Sequence, residues 1–326
     1  MGFKGFRPSW VSKAHLHRSA ELFLRRFNPK ARFIQSFRGD HPAFYEAVIG
    51  GSNPIKPAPG HVGMTSSLCQ QVHFTLDEFR FWSRAIAHAP RFHRKLWEWF
   101  FIIQTVFEAG MMAAGRKGLV FAVGTEPLPA LFASYGCEIL ATDQSREHAS
   151  AQGWIDTHQH ASELLALSRP QICDDALFRE RVSFRAVDMN DLPADLNGQF
   201  DFCWSACSFE HLGSLERGIE FVENAMQTLK SGGIAVHTTE FNLSSNDATM
   251  ETAALSIFRR RDIETLVDRL TRAGHRVSPV NWNQGQGFIE DFVDLPPYSA
   301  SSHLRLALGK FDCTSIGLVV RRGHTA

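Results

Sequence analysis

From Lys117 onward, short apolar runs alternate with stretches of helical periodicity, and this alternation constrains the fold more than any other feature of the chain. Such alternation is typical of a parallel sheet whose strands are joined by crossover helices. Residues 260–280 then predict a helix followed by a strand, and residues 314–322 predict a last strand. The central strands are predicted at Leu119 to Val123, Glu138 to Thr142, Val182 to Ala186, Phe200 to Trp204 and Ile234 to Thr239.

Two amphipathic helices are predicted ahead of this sheet. The first begins near Leu76, where Thr75 and Glu78 have the spacing of a capping box, and it ends at Pro90. In the second, apolar residues recur at helical spacing between residues 92 and 107. We expect both helices to cover the sheet. The predicted organisation is an N-terminal arm and helical cover over residues 1–115 and a second domain over residues 116–326.

The residues that follow the predicted strands carry the chemistry, because ligands of a doubly wound sheet bind beyond the carboxyl ends of its strands. The first strand leads into the turn "GTEPLP" at residues 124–129, where Gly124 permits a close approach of the backbone. Asp143 follows the second strand, nineteen positions after Gly124. An acidic side chain at this point accepts hydrogen bonds from two ribose hydroxyls. At the end of the third strand, Asp188 can bond an adenine amine while Met189 packs on the ring.

The whole series of motifs resembles the class I S-adenosylmethionine-dependent methyltransferases. It consists of a glycine turn, an acidic residue, an aspartate with an apolar neighbour, an "FD" strand, "EHL" and a segment like "LKPGG". Here these motifs are Gly124, Asp143, Asp188, Phe200 with Asp201, Glu210 with His211 and Leu212, and Leu229 with Lys230, Gly232 and Gly233. The chain is most similar to a bacterial subgroup with "GxEPLP" in the first turn, often associated with polysaccharide or glycolipid assembly.

The resemblance implies a Rossmann-like, seven-stranded mixed sheet, mostly parallel with an antiparallel last strand, flanked by helices. It implies S-adenosylmethionine as the cofactor and O-methylation of a sugar or glycan-type acceptor. The cofactor-binding candidates are Gly124, Thr125, Glu126, Pro127, Asp143, Gln144, Asp188, Met189, Ser205, Ala206, Lys95 and Trp97. Lys95 and Trp97 could equally serve the packing of the covering helix.

The first turn departs from the family pattern. The acidic residue usual two positions before the glycine is replaced by Ala122, and Glu126 and Leu128 stand where the second and third glycines would be. Glu126 is a candidate to hold the amino group of the cofactor's methionine moiety; the alternative is an ordinary acid at a helix start.

His211 and Glu240 are the candidate catalytic bases, because a hydroxyl acceptor must lose a proton and both residues follow strands at the expected rim of the site. Imidazole, with an ordinary pKa near 6.5, suits proton abstraction. His211 could instead cap or pack the following helix. No metal-ligand spacing of the HExxH kind occurs, so a metal-independent enzyme is expected.

Two rival functions stay open. A nicotinamide-dependent oxidoreductase shares the glycine turn and the acidic residue, although the chain lacks GxGxxG at the first turn. A non-catalytic subunit that binds S-adenosylmethionine is consistent with the loss of two glycines.

Composition and charge limit the kinds of partner that this chain could bind. Lys plus Arg equals Asp plus Glu at 34 each, so no overall field would recruit nucleic acid. The N-terminal 40 residues are strongly basic, and this arm could lie on an anionic membrane surface or bind a phosphorylated substrate; the alternative is a solvated helix face. The arm could also exchange between subunits of a homo-oligomer. Scattered cysteines are expected to be reduced thiols of a cytoplasmic protein. The basic residues of the arm are Lys4, Arg7, Lys13, Arg18, Arg25, Arg26, Lys30, Arg32 and Arg38.

Overall fold

The structure, a computed structural model, describes residues 29–37, 41–50, 55–145, 164–298 and 302–323. Of the basic arm, only Lys30 and Arg32 fall within these ranges, so the predicted membrane or subunit contacts of the arm lie outside the described residues. None of the described helices is both long enough and apolar enough to cross a bilayer.

One twisted sheet organises the described residues. Its path runs in the order β4, β3, β2, β5, β6, β10, β9, β8, and β1 and β7 also pair with β10. Neighbouring strands from β4 to β6 are parallel, and β10 is antiparallel to β6. The strands are β1 (Ser67–Leu68), β2 (Lys117–Val120), β3 (Glu138–Asp143), β4 (Val182–Ala186), β5 (Phe200–Ala206), β6 (Leu229–Asn242), β7 (Arg276–Val277), β8 (Val293–Asp294), β9 (Arg305–Leu308) and β10 (Phe311–Arg321).

The predicted fold class is confirmed, with a correction to the number of strands. The described sheet has ten strands instead of seven, because β1, β8 and β9 join its antiparallel half. Strands of two to four residues are too short to show a period in the sequence. The five central strands and the antiparallel last strand lie where the sequence predicts them, within a few residues at each end.

Helices cover both faces of the sheet. The two predicted cover helices are present as α4 and α5, and α5 packs against β5, β6 and β10. The α-helices are α1 (Pro29–Ser36), α2 (His41–Ile49), α3 (Gln71–Phe74), α4 (Asp77–Ala85), α5 (Arg94–Glu108), α6 (Leu128–Ser134), α7 (Asp175–Arg181), α8 (Leu215–Thr228) and α9 (Arg260–Arg272). Short 3-10 helices span Leu164–Leu167, Ala194–Leu196 and Phe209–His211.

The cover and the sheet share one hydrophobic core. Trp82 of α4 and Phe101 of α5 belong to the same buried cluster as Trp204 of β5 and Val236 of β6. The boundary near residue 115 therefore stays a prediction, since side chains from both sides of it pack together.

The predicted capping box at the start of α4 is wrong. The hydroxyl of Thr75 donates to the carbonyl of Val72 at 2.8 Å, at the end of the preceding short helix. The carboxylate of Glu78 accepts from the backbone N–H of Gly60 at 3.1 Å. The spacing is satisfied, but both side chains have partners elsewhere, and α4 begins at Asp77 without a side-chain cap.

Candidate active site

A cavity of about 620 Å³ opens where β2, β3, β4 and β5 end. The chain reverses its direction across the sheet between β2 and β5, and such a switch point is the usual ligand site of an open α/β sheet. The lining residues are His93, Lys95, Trp99, Ala122, Val123, Gly124, Thr125, Glu126, Asp143, Gln144, Val187, Asp188, Met189, Asn190, Ala206, Cys207, Ser208, His211 and Leu212.

The carboxylate of Asp143 lines this cavity and is fixed by two backbone N–H groups. One of its oxygens accepts from the backbone N–H of Gly124 at 2.9 Å, and the other accepts from the N–H of Gln144 at 2.8 Å. Gly124 has φ +52, a left-handed conformation that glycine adopts without strain. Since a carboxylate oxygen accepts more than one hydrogen bond, Asp143 is a candidate to receive hydroxyl groups of a ligand in the cavity.

Asp188 and Met189 form the next part of the wall, directly after β4. An oxygen of Asp188 accepts from the N–H of Asn190 at 2.8 Å, which holds the loop against the cavity. The side chain of Met189 is mostly buried and offers an apolar surface. A flat heterocycle with an exocyclic amine suits this combination of a carboxylate and a thioether.

Glu126 is buried in the cavity wall at the start of α6. Its carboxylate accepts from the indole N–H of Trp204 at 2.7 Å. Burial raises the pKa of Glu126 to about 7, against the opposing effects of the Trp204 hydrogen bond and the charge of Lys95. The side chain therefore changes charge near neutral pH.

An ionic network around the buried carboxylate of Glu98 adjoins the cavity, because its lysine, Lys95, is a lining residue. The ammonium of Lys95 contacts a carboxylate oxygen of Glu98 at 2.7 Å and donates to the carbonyl of Ala206 at 3.1 Å. The other oxygen of Glu98 accepts from the hydroxyl of Ser315 at 2.6 Å and from the thiol of Cys207 at 3.0 Å. Although burial alone would raise the pKa of Glu98, Lys95 and Arg94 lower it to about 2. The network ties α5 to the loop after β5.

The two predicted catalytic residues occupy different places. His211 lines the cavity, and its Nδ1 lies 2.6 Å from the carbonyl oxygen of Ala254. A carbonyl can only accept, so Nδ1 carries a proton and Nε2 is the basic nitrogen of the neutral ring. Glu240 does not line the cavity, because its carboxylate pairs with the buried guanidinium of Arg94 at 2.6 Å.

Three of the predicted cofactor residues also lie outside the lining. Pro127 precedes the first turn of α6. The indole N–H of Trp97 donates to Nδ1 of His73 at 2.8 Å, on the side of α5 away from Lys95. The hydroxyl of Ser205 lies 2.8 Å from Nδ1 of His237. The cavity does bring together Gly124, Thr125, Glu126, Asp143, Gln144, Asp188, Met189, Ala206 and Lys95.

Several lining residues escaped the sequence analysis. Trp99 lies four residues after Lys95 and therefore on the same face of α5, a relation that helical spacing could have shown. Cys207 and Ser208 directly follow β5, where the predicted strand ended two residues too early. His93 precedes α5 and gave no signal, since its position depends on a contact with residue 303. The others are Ala122, Val123, Val187, Asn190 and Leu212.

Three side chains that could serve as metal ligands lie close together, and one of them, Cys207, lines the cavity. One ligand atom each from Cys207, Glu210 and Glu240 lies within 4.8 Å of the others. Arg94 donates to Glu240, and the hydroxyl of Thr239 donates to Glu210 at 3.0 Å. Both carboxylates thus have protein partners, and the group carries no metal proposal.

Comparison with known proteins agrees with this geometry. Residues 119–237 match the family model of the methyltransferase domain. None of the curated proteins matches the chain in sequence. This match favours a methyltransferase over the oxidoreductase that the sequence left open.

The chain is also similar to solved structures of proteins with different activities. The DhpI complex with S-adenosylhomocysteine is 16% identical, with a TM-score of 0.39, over 69% of this chain and 85% of that chain. An S-adenosylmethionine-dependent methyltransferase from Mesorhizobium loti is 13% identical, with a TM-score of 0.40, over 66% and 96%. The (4+2) cyclase SpnF is 18% identical, with a TM-score of 0.40, over 69% and 82%. Structural similarities with identities and TM-scores this low carry no information about the substrate. The family match covers residues 119–237 and indicates a methyltransferase domain in that segment, with S-adenosylmethionine as the cofactor.

Proposed function

We propose that the protein transfers the methyl group of S-adenosylmethionine to a hydroxyl of a sugar or glycan-type acceptor, with His211 as the general base. The observation that carries the proposal is one cavity lined by two chemically distinct groups of residues, which we assign to a cofactor end and an acceptor end. One end has the strand-end carboxylates and Met189, and the other has Trp99, His93, Ser208 and His211.

The first end fits the cofactor. Asp143 is positioned by two backbone N–H groups and can receive the ribose hydroxyls, and Asp188 with Met189 can receive the adenine. Glu126 also lines the cavity and is our candidate to hold the amino group of the methionine moiety. When bound, S-adenosylmethionine supplies an electrophilic methyl group for an in-line displacement. What the chain itself contributes is alignment of the two reactants and exclusion of water.

The second end supports a hydroxyl-rich acceptor. The half-buried indole of Trp99 offers an aromatic face on which the apolar face of a sugar ring can stack. His93, Ser208 and His211 surround this face with hydrogen-bonding groups. His211 is oriented by the carbonyl of Ala254, so Nε2 is the atom that would take the hydroxyl proton. The displacement then leaves one proton on His211 for release to solvent.

A tritium-transfer assay tests the proposal. Purified protein, S-adenosylmethionine labelled in the methyl group, and a panel of free hexoses, nucleotide-linked hexoses and aromatic hydroxyls would be incubated together. We expect transfer to at least one sugar. In His211→Ala, kcat should fall by about 10²- to 10⁴-fold, the usual contribution of a general base, while S-adenosylhomocysteine affinity is unchanged.

Other outcomes would point elsewhere. Transfer only to aromatic hydroxyls or amines would overturn the sugar acceptor. Tight cofactor binding without transfer to any acceptor would favour the non-catalytic subunit. An unchanged kcat in His211→Ala would remove His211 as the base. The cytoplasmic location, the link to polysaccharide biosynthesis and the contacts of the basic arm remain predictions from sequence.

A further inference from the structure

Two stacked imidazoles stand at the acceptor end of the cavity. The rings of His93 and His303 have centroids 4.9 Å apart and planes 22° apart. The backbone N–H of His303 donates to the carbonyl of Phe92 at 2.9 Å, and the backbone N–H of Arg94 donates to the carbonyl of His303 at 3.1 Å. These two backbone bonds fix the start of α5 against the segment before β9. His93 lines the cavity, so its ring is held there from behind.

The contacts of His93 define which of its nitrogens carries hydrogen. The backbone N–H of Lys95 donates to Nδ1 at 3.2 Å, which makes Nδ1 an acceptor and places the proton of the neutral ring on Nε2. Burial lowers the pKa of His93 well below its ordinary value, and the nearby His303, Arg91 and Arg94 lower it further, while Glu98 acts in the opposite direction. His93 is therefore a neutral imidazole with a single N–H donor.

The second imidazole is itself oriented by a buried acid. Nδ1 of His303 lies 2.8 Å from a carboxylate oxygen of Asp294, which is 3% exposed. The ring of Tyr298 meets His303 edge-on, with centroids 5.8 Å apart. Asp294 and Tyr298 thus fix the orientation of the His303 ring, and stacking on His303 fixes the orientation of the His93 ring.

The N–H donor of His93 has no protein acceptor within the described part of the chain. Over residues 29–323, apart from the gaps given above, no group accepts a hydrogen bond from Nε2 of His93. A half-buried N–H that lines a cavity needs an acceptor from water or from a ligand. The other imidazole on this cavity, His211, has the complementary arrangement, with Nδ1 protonated and Nε2 basic.

We propose that Nε2–H of His93 donates a hydrogen bond to a second oxygen of the methyl acceptor while His211 receives the proton of the reacting hydroxyl, so the site selects polyols over isolated hydroxyls. His303 and Asp294 are positioning residues that act through His93. This inference rests on the proposed function, because it requires an oxygen-bearing acceptor in the same cavity.

Two substitutions at one position separate this role from folding. His93 is also the N-cap of α5, and in His93→Asn the amide oxygen can replace Nδ1 as the cap while the donor at Nε2 is lost. In His93→Gln the amide nitrogen can reach the Nε2 position, at the expense of the cap. With the best sugar acceptor of the hexose panel, kcat/KM should fall roughly tenfold in His93→Asn, as for loss of one hydrogen bond, and recover in part in His93→Gln. S-adenosylhomocysteine affinity should stay unchanged in both variants.

A second readout needs no acceptor. With ¹⁵N-labelled histidine, long-range proton–nitrogen spectra should show His93 protonated only on Nε2 and still neutral at about pH 6, where a free imidazole is largely charged. In Asp294→Asn the His303 signals should shift and kcat/KM should fall while the fold is retained. A charged His93, or one protonated on Nδ1, would overturn the inference.

The activity outcomes distinguish the two proposals. Wild-type transfer to sugars with His93→Asn equal to wild type would overturn the role of His93 and leave the proposed function standing. Absence of transfer to any sugar by the wild type would overturn both. Equal rates on a hexose and on a simple alcohol would refute the preference for polyols.

Discussion

The turn after β2 concentrates the departures of this chain from the methyltransferases it resembles. Ala122 and Gly124 both have positive φ, +49 and +52, so the backbone keeps a tight turn although only one glycine remains. Glu126 follows, in the position of the missing second glycine, with its carboxylate bonded to Trp204 in the cavity wall. Loss of glycines has thus placed an acid beside the cofactor end.

Glu126 should make cofactor affinity depend on pH. Its pKa is raised to about 7 by burial, and a carboxylate that holds an ammonium group must be ionised. Affinity for S-adenosylmethionine should therefore be highest above about pH 7 and fall by up to tenfold per pH unit below it. Titration calorimetry at several pH values measures this directly.

Glu126→Gln is the matched variant for that measurement. The amide keeps an acceptor for Trp204 but cannot titrate, so its affinity should be lower at high pH and nearly flat with pH. The same pH profile in the variant and the wild type would show that Glu126 does not hold the cofactor.

Sequence spacing predicted those site residues that the ends of strands position. Gly124, Asp143 and Asp188 follow from where strands stop, and the strands are visible as apolar runs. Trp97 and Ser205 were wrongly expected to line the cavity. Trp97 lies two residues after Lys95 on a helix, and Ser205 lies one residue before Ala206 on a strand, so both side chains point to another face. His93 depends on pairing with residue 303, some 200 positions away, and no local pattern encodes such a contact.

At the scale of elements, a buried ion pair joins the cover to the sheet. Arg94 of α5 and Glu240 of β6 pair at 2.6 Å, with side chains only 10% and 11% exposed. Glu240 was a candidate base from its position after a strand. The β6 strand, however, runs on to Asn242, so Glu240 lies within it and faces α5.

Glu240→Ala should therefore act mainly on stability. Removing one partner leaves the Arg94 charge buried and unpaired, which costs about 3–5 kcal/mol of unfolding free energy. Glu264→Ala breaks an exposed pair with Arg260 and should cost at most about 1 kcal/mol. Urea unfolding compares the two. A Glu240→Ala protein as stable as the wild type but inactive would instead restore Glu240 as the base.

The order of elements was predictable because each central strand and helix has its own periodic pattern. The antiparallel half of the sheet was less predictable, since β1 and β8 are two residues long and exist only through pairing with longer neighbours. The formation of β1 depends on pairing with β10, and that of β8 depends on pairing with β9. Such strands leave no signal of their own.

Across the whole molecule, buried neutral histidines should make stability sensitive to acid. Burial lowers the pKa of His73 to about 4 and that of His237 to about 3, whereas the unfolded chain binds these protons below about pH 6.5. Their stabilising contribution is complete above that pH and is lost as the pH falls. Glu126, with its raised pKa, works in the opposite direction.

Unfolding free energy should thus decrease between about pH 6.5 and pH 5, by up to roughly 1.4 kcal/mol per pH unit for each such histidine. His237→Gln removes one of these proton-binding imidazoles, so the slope of unfolding free energy against pH should be shallower by about that amount. An unchanged slope would mean that His237 is solvated or charged in the folded protein. Urea titrations at fixed pH values provide the slopes.

The cofactor site at the switch point of the sheet is the central claim, and calorimetric titration with S-adenosylmethionine, S-adenosylhomocysteine and NADH tests it most directly. Asp143→Ala and Asp143→Asn probe the site, and Asp191→Ala is the control, an exposed acid of the same cofactor-side loops that does not line the cavity. We predict micromolar binding of the first two ligands, weakened at least about tenfold in both Asp143 variants and unaffected in the control. Failure of the wild type to bind them, or binding of NADH in their place, would contradict the account.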